Sequence, residues 1–188
     1  MDTVTYLQLL KGAIDATNPA EFDAIAELLF EACRKDKQVF ILGNGGSGAT
    51  ASHIAEDLAK GAQFDCHLRF RITSLTDNAP LIMAWANDIG YESIFVGQLR
   101  NFVDAGDVVI GISGSGNSEN VLEALRYAKA QGATTVGLTG MGGGKLSQEA
   151  DLAYIAPSDN MQRIEDLHLI LGHILYVLFV KEFGPKAD

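Results

Sequence analysis

Two short stretches rich in glycine and hydroxyl residues constrain the fold of this chain more than any other feature. Residues 43–47 follow an apolar run at 38–42, and residues 113–118 follow an apolar run at 107–112. Each stretch precedes a segment with helical periodicity. A glycine-rich turn from strand to helix leaves free N–H groups at the positive end of the helix dipole, which favours anions. Two such turns predict a phosphorylated ligand at the carboxyl ends of a parallel sheet.

Strand-like and helical patterns alternate along most of the chain. We expect strands at 38–42, 70–75, 107–112, 134–139 and 152–156, and helices at 2–15, 20–35, 47–60, 78–86, 91–103, 118–130 and 160–183, with a short helix before the last strand. This alternation is typical of a parallel sheet with helices on both faces. The helices at the two ends lie outside it, so their apolar faces pack on the sheet or on another subunit. Residues 142–144 are interpreted as a mobile turn rather than a third anion site.

Composition narrows the classes of function. A chain of 188 residues with 24 acidic and 14 basic side chains suits one domain and argues against a nucleic-acid surface. Cys33 and Cys66 form no metal or redox motif, which favours reduced thiols in the cytoplasm. The start of the chain lacks a secretion signal, and the apolar stretch at 167–180 is short and contains two histidines. We therefore expect a cytoplasmic protein without a membrane partner.

Polar residues recur on two of the predicted helices. His53 and Asp57 are four residues apart and share a helical face, with Glu56 also within reach of His53. Glu165 and His173 are eight residues apart and can share a face of the last helix. If these helices meet, the residues suit a divalent metal ion or an acid–base pair. A solvated helix face, or a core histidine bonded to a carbonyl, explains the same spacing.

The ordered set of motifs resembles the sugar isomerase (SIS) family and, within it, the phosphoheptose isomerases. The resemblance covers nearly the whole chain and rests on residues 43–47, 53–57, 87–91, 111–118, 138–140 and 163–173. It implies a three-layer α/β/α fold with a five-stranded parallel, flavodoxin-like sheet and extra helices at both ends. It also implies one SIS domain over residues 1–188, in which residues 1–36 form a helical extension that makes oligomer contacts.

The resemblance implies an aldose–ketose isomerase that converts sedoheptulose 7-phosphate to D-glycero-D-manno-heptose 7-phosphate through an enediol. It places Asp57 and His173 as catalytic base and acid, and one zinc ion per subunit on His53, Asp57, Glu165 and His173. The substrate-binding positions that it implies are Asn44, Gly45, Gly46, Ser47, Asn87, Asp88, Ser113, Gly114, Ser115, Ser118 and Glu165. It further implies a homotetramer with active sites between subunits.

This chain departs from the family pattern at two of those positions. Asp57 stands where the phosphoheptose isomerases usually have glutamate, and Glu165 stands where they usually have glutamine. Aspartate is one methylene shorter, so a different sugar, or Glu56 as the base, is an alternative. Two further alternatives are an isomerase of another phosphosugar, such as a pentose phosphate, and a non-catalytic SIS adaptor that binds a partner protein such as a replication initiator. An adaptor has no need of the histidine and carboxylate set, which favours the enzyme.

Overall fold

A computed structural model of the chain describes residues 2–185; Met1 and residues 186–188, which the predicted domain includes, lie outside it. The strands are β1 (Gln38–Gly43), β2 (Arg71–Ser74), β3 (Val108–Ser113), β4 (Thr134–Thr139) and β5 (Leu152–Ile155). The α-helices are α1 (Thr3–Asp15), α2 (Pro19–Arg34), α3 (Gly45–Phe64), α4 (Ala79–Asp88), α5 (Val96–Leu99), α6 (Glu119–Ala130), α7 (Leu146–Glu149) and α8 (Met161–Phe183), and a 3₁₀ turn spans Tyr91–Ser93.

The five strands form one parallel sheet in the order β2-β1-β3-β4-β5. The chain crosses from one side of the sheet to the other between β1 and β3, and a ligand crevice opens at such a switch point. Gly43 pairs with Ile112, and Ser113 pairs with Thr139. This register brings the ends of β1, β3 and β4 together, so the predicted parallel sheet and its clustered loops are confirmed.

Two apolar layers cover the sheet. One layer packs α2, α3 and α8 against one face, where Phe179 at the end of α8 stacks with Phe30 and Phe70. The other layer packs α5, α6 and α7 against the opposite face, around Phe40 and Phe95. Burial of these side chains contributes about 25 cal/mol for each Å² of apolar surface removed from water. Within residues 2–185, no helix combines the length and apolarity needed to cross a bilayer.

The helix predicted at 91–103 is the main error in the secondary structure. A 3₁₀ turn and the four-residue α5 replace it. Gln98 is buried and its Nε2 donates to the carbonyl oxygens of Ile94 and Leu75, while its backbone N–H donates to Phe95 O. The side chain thus occupies the Ile94 carbonyl, which a regular helix would pair with the backbone N–H of residue 98.

The triple-glycine segment 142–144 also differs from expectation, because it packs against the second loop instead of projecting freely. A side-chain carbon on Gly144 would lie 2.6 Å from Ser115 O, and one on Gly116 would lie 2.1 Å from Gly143 O. Leu146 N also donates to Gly116 O at 2.9 Å. The glycines therefore allow two loops to touch through their backbones.

Candidate active site

The N-termini of α3 and α6 differ from those of the other long helices. Among helices of ten residues or more within residues 2–185, α1, α2, α4 and α8 have an Asp or Asn side chain that caps a backbone N–H. Asn44 and Ser118, which begin α3 and α6, can cap equally well but do not. Both side chains are engaged elsewhere, so the first N–H groups of these two helix ends, which their N-cap side chains do not bind, are left for a ligand.

The first loop, residues 43–47, is tied to α6 through Asn44. Its amide Nδ2 donates to Asn120 Oδ1 at 2.9 Å, and Asn120 Nδ2 donates back to Asn44 Oδ1 at 2.8 Å. The Tyr91 hydroxyl also donates to Asn44 Oδ1, at 2.9 Å. Gly45 and Gly46 are exposed and Ser47 is buried at the start of α3. A cavity of about 280 Å³ lies beside this loop, lined by Asn44, Gly45, Ser52, Thr76, Tyr91 and neighbouring residues.

The second loop, residues 113–118, presents hydroxyl groups. Ser113 Oγ and Ser118 Oγ lie 3.0 Å apart, and Ser115 Oγ accepts from Asn117 N at 3.3 Å. Gly114 accepts a hydrogen bond from Gly140 N, so the end of β4 supports the loop from behind. Hydroxyls and a helix N-terminus bind a phosphate without net positive charge on the protein.

Three of the four predicted metal residues meet between α3 and α8. One potential ligand atom from each of His53, Asp57 and His173 lies within 4.8 Å of the other two. His53 Nε2 is 3.4 Å from Asp57 Oδ2, and the two imidazole rings are 5.2 Å apart at 71°. Two imidazoles and a carboxylate suit zinc, and three protein ligands leave a position open, as in catalytic zinc sites.

Glu165 lies outside this three-residue cluster and next to the first loop. A side-chain carbon on Gly46 would lie 2.4 Å from Glu165 Oε1, so the carboxylate rests against the glycine at the start of α3. The positive end of the α3 dipole stabilises a carboxylate there. Glu56, the alternative base, points to Lys60 at 3.6 Å and is exposed. Glu165 thus faces the first loop, whereas Glu56 faces Lys60 outside the cluster.

Asn87 and Asp88 end α4 and are exposed. Asn87 Nδ2 donates to Asp88 Oδ1 at 2.7 Å. The cavity beside the first loop is lined instead by Ile82, Tyr91, Ile94 and Phe95 from this part of the chain. Within one subunit the structure therefore does not bring Asn87 and Asp88 to the other predicted residues.

His168 is a core histidine bonded to a carbonyl, which is one of the alternatives that the sequence left open. It is fully buried, and its Nε2 lies 3.0 Å from Thr139 O, so the proton sits on Nε2. Burial is the main cause that lowers its pKa to about 4, since charging an imidazole away from water is costly. Neutral His168 thus fixes the end of β4, next to the Gly140 N–H that supports the second loop.

Comparison with known proteins identifies the family of this chain. The family model described as SIS domain matches residues 5–140. The chain belongs to the SIS family.

The relatives of this SIS protein include curated phosphoheptose isomerases. It is 41% identical over 171 residues to that of Sulfurimonas denitrificans, covering 89% of this chain and 86% of the relative. It is 37% identical over 169 residues to that of Clostridium acetobutylicum, with 89% and 86% coverage. The structure of a phosphoheptose isomerase from Neisseria gonorrhoeae superposes with a TM-score of 0.88 at 28% identity, over 95% of this chain and 96% of that one.

Two residues of the candidate site were missed by reasoning from the sequence. Asn120 is buried at the start of α6, and Tyr91 reaches the first loop from the 3₁₀ turn. Asn120 shares its helical face with Ala124 and Ala128, both buried. A polar side chain on an otherwise apolar stripe is the signal that would have found it. Tyr91 lies in a stretch that carries the family resemblance, but nothing in the sequence shows that it contacts Asn44.

Proposed function

We propose that this protein is an aldose–ketose isomerase that converts sedoheptulose 7-phosphate to D-glycero-D-manno-heptose 7-phosphate. The observation that carries the proposal is the cluster of His53, Asp57 and His173, two of which lie on the helix that begins at the first loop, together with two helix ends at one switch point that lack an N-cap side-chain bond. The histidine and aspartate cluster suits proton transfer, and the two helix ends suit a phosphate. The curated relatives carry the name of this activity.

The serine loop is the phosphate grip in this proposal. Ser113, Ser115 and Ser118 donate hydrogen bonds from their hydroxyl groups to the phosphate oxygens, and the N-terminus of α6 adds backbone N–H groups. Gly114 allows the backbone of the loop to approach. The first loop, with Asn44, Gly45, Gly46 and Ser47, contacts the sugar hydroxyls. A grip on the phosphate far from the reacting carbons fixes the register of the sugar chain.

Proton transfer is assigned to Asp57 and His173. Asp57 removes the proton from one carbon next to the carbonyl and returns it to the neighbouring carbon. His173 donates a proton to the carbonyl oxygen and accepts one from the adjacent hydroxyl, which completes the enediol step. His53 orients Asp57 across 3.4 Å.

The donor set fits a zinc ion, which we propose at one per subunit. His53, Asp57 and His173 would hold it, and Glu165 is the proposed fourth ligand or a substrate contact. A bound zinc ion supplies Lewis-acid polarisation of the substrate oxygens.

We also propose a homotetramer with active sites between subunits. Helix α1 exposes Val4, Leu7, Leu9 and Ile14, and α8 exposes Val177. Apolar side chains clustered on the outer helices suit contacts between copies. Such contacts are where Asn87 and Asp88 would reach the substrate of another subunit. The proposal also includes one domain over residues 1–188, in which residues 1–36 make the contacts between subunits. It places the protein in the cytoplasm, a location that the unpaired Cys33 and Cys66 suit.

The decisive experiment incubates the protein with sedoheptulose 7-phosphate, with and without chelator, and follows the aldose by NMR. We expect product with metal and a loss of product with chelator. Absence of product with the metal-loaded protein would leave the adaptor or another phosphosugar, and a parallel incubation with a pentulose phosphate separates these.

Variants assign the roles. Asp57→Asn and His173→Gln should each lower kcat at least ~100-fold with the fold intact by circular dichroism, since general acid–base catalysis contributes about 10²–10⁴-fold. Glu56→Gln and His67→Gln are matched controls, because both side chains are exposed outside the cluster. An unchanged kcat in either cluster variant would remove that residue from the mechanism.

A further inference from the structure

The contacts of Asn44 form a small network whose hydrogen-bond directions are fixed. Val121 N donates to Asn120 Oδ1 at 3.0 Å, and a backbone N–H is always a donor. The acceptor atom of Asn120 is therefore its oxygen, and its Nδ2 must face Asn44 Oδ1. Asn44 Nδ2 then faces Asn120 Oδ1, and the Tyr91 hydroxyl is left as a donor to Asn44 Oδ1. A single amide orientation satisfies all four bonds.

This network joins the starts of the two uncapped helices. Asn44 begins α3, and Asn120 is the second residue of α6, two positions after Ser118. The network also explains why Asn44 does not cap α3: its oxygen already accepts two hydrogen bonds. One N–H of the Asn44 amide remains for a ligand. Asn120 is 3% exposed, so its bonds to Asn44 are protected from water.

The network lies at one end of α3, and the cluster lies further along the same helix. His53 and Asp57 lie nine and thirteen residues after Asn44 on the same helix, about 13 and 19 Å along its axis at 1.5 Å per residue. Helix α3 is continuous over this length, and α6 begins at the serine loop. The position of the cluster relative to that loop therefore depends on the pairing of β1 with β3 and on how the two helix starts are joined.

We propose that Asn120 and Tyr91 are positioning residues that, by holding the Asn44 amide, set the span between the serine loop and the His53–Asp57–His173 cluster and so select the chain length of the sugar phosphate. The inference rests on the proposed function. It adds a reason for selectivity: a phosphate fixed at one end places different carbons at the cluster in sugars of different length.

The primary test is Asn120→Asp, which keeps the size of the side chain and the acceptor for Val121 N but removes the donor to Asn44. Two oxygens then face each other, and a buried polar group without a partner costs enough to change an equilibrium about tenfold or more. We expect KM for the seven-carbon substrate to rise about tenfold and inorganic phosphate to bind about tenfold more weakly. The ratio of kcat/KM for seven-carbon over five-carbon ketose phosphates should fall about tenfold.

The affinity for zinc distinguishes a positioning role from a merely structural role, because general destabilisation of the protein would lower it. It should stay within about twofold of the unmodified protein, because no hydrogen bond of the network involves His53, Asp57 or His173. A folded variant with unchanged phosphate affinity and an unchanged chain-length ratio would overturn the proposal. So would a parallel loss of zinc binding and phosphate binding, since that result indicates general destabilisation.

Tyr91→Phe provides a second test of the network if Asn120→Asp does not fold. Tyr91 is 56% exposed, so its replacement leaves the core unchanged. We expect about a threefold rise in KM and the same direction of change in the chain-length ratio. Tyr127→Phe, on α6 but outside the network, is the control and should change neither; a Tyr91→Phe protein that matches it contradicts the proposal. If the unmodified protein converts no ketose phosphate, the proposed function fails, and the inorganic phosphate comparison still tests the network.

Discussion

The loops that begin α3 and α6 follow neighbouring strands and both expose uncapped helix ends, yet their electrostatic surroundings differ. The first loop has the Glu165 carboxylate against Gly46. Next to the second loop, the Glu119 carboxylate is paired with Arg126 at 2.7 Å, and three serines supply donors. A phosphate dianion is repelled by the unpaired carboxylate at the first loop and meets hydroxyls at the second. Two similar sequence patterns therefore take different ligands in the proposed function: the sugar at the first loop and the phosphate at the second.

The supports behind the loops differ as well. Neutral amides and a phenol hold the first loop through Asn44. The second loop is backed by Gly143 and Gly144 and by the end of β4, where His168 bonds Thr139. Only the second support contains a group that titrates between pH 4 and 7. The two loops should thus respond differently to backbone changes and to acid.

The largest expected effect comes from adding a methyl group to one glycine of each region. Gly116→Ala places a carbon 2.1 Å from Gly143 O, at a positive φ of 67°. We expect a loss of about 3 kcal/mol in the free energy of unfolding, together with loss of phosphate binding. Gly45→Ala has a similar φ of 55° but open space, so it should cost only about 1 kcal/mol. Urea unfolding measures both; equal costs would show that the packing of the second loop is not the source of the difference.

Acid should weaken the second support. The folded pKa of His168, about 4, lies below the ordinary 6.5, so the unfolded chain binds a proton where the folded chain does not. The free energy of unfolding therefore falls as pH drops from about 6.5 towards 4, by up to about 1.4 kcal/mol per pH unit from this group. His168→Gln retains a donor for Thr139 O but does not titrate, so its stability should fall less over this range. His67→Gln, at an exposed position, should follow the unmodified protein; identical pH profiles for all three proteins would contradict the assignment.

Serine substitutions compare the ligands of the two loops directly. Ser118→Ala removes a phosphate donor and should raise KM about tenfold, the effect of losing about 1.4 kcal/mol of binding. Ser47→Ala, at the first loop, should raise KM less than about threefold, because its proposed neighbour is an uncharged hydroxyl. Steady-state kinetics with the seven-carbon substrate give both values. The reverse order of effects would place the phosphate at the first loop.

The smallest expected effect concerns charge at the first loop. Glu165→Gln removes the carboxylate beside Gly46 and restores the residue that phosphoheptose isomerases usually have. In the presence of chelator, inorganic phosphate should bind about two- to threefold more tightly, since a partly exposed charge contributes up to about 1 kcal/mol. Calorimetry at low and high salt measures the change and its screening. Weaker binding in the variant would contradict the repulsion.

The sequence contained enough local information for the sheet and most helices. The glycine turns, the alternation and the apolar runs are local signals, and β1, β3 and β4 lie within one residue of their predicted bounds. The break at 91–103 was not predictable in this way, because it depends on Gln98 reaching Leu75 on another element. The same limit applies to 142–144, whose conformation is set by contact with Gly116.

In the candidate site, too, local spacing predicted some features, and contacts between distant elements determined the others. The spacing of His53 and Asp57 placed them on one face, and their meeting with His173 follows from α3 packing on α8. Spacing alone also put Glu165 with His173, yet these side chains are separated by two helical turns and face different parts of the crevice. Asn120 and Tyr91 act through contacts between distant segments, which no short motif records.

Helix α8 carries three of these groups in one continuous run: Glu165 at the first loop, His168 behind the second, and His173 in the cluster. Each residue added to an α-helix turns everything beyond it by about 100°. An insertion or deletion of one residue between 165 and 173 would therefore misdirect at least one group, however well the remainder folded. Side chains along this segment can be exchanged one at a time, whereas a change of one residue in its length would separate the three groups from their partners.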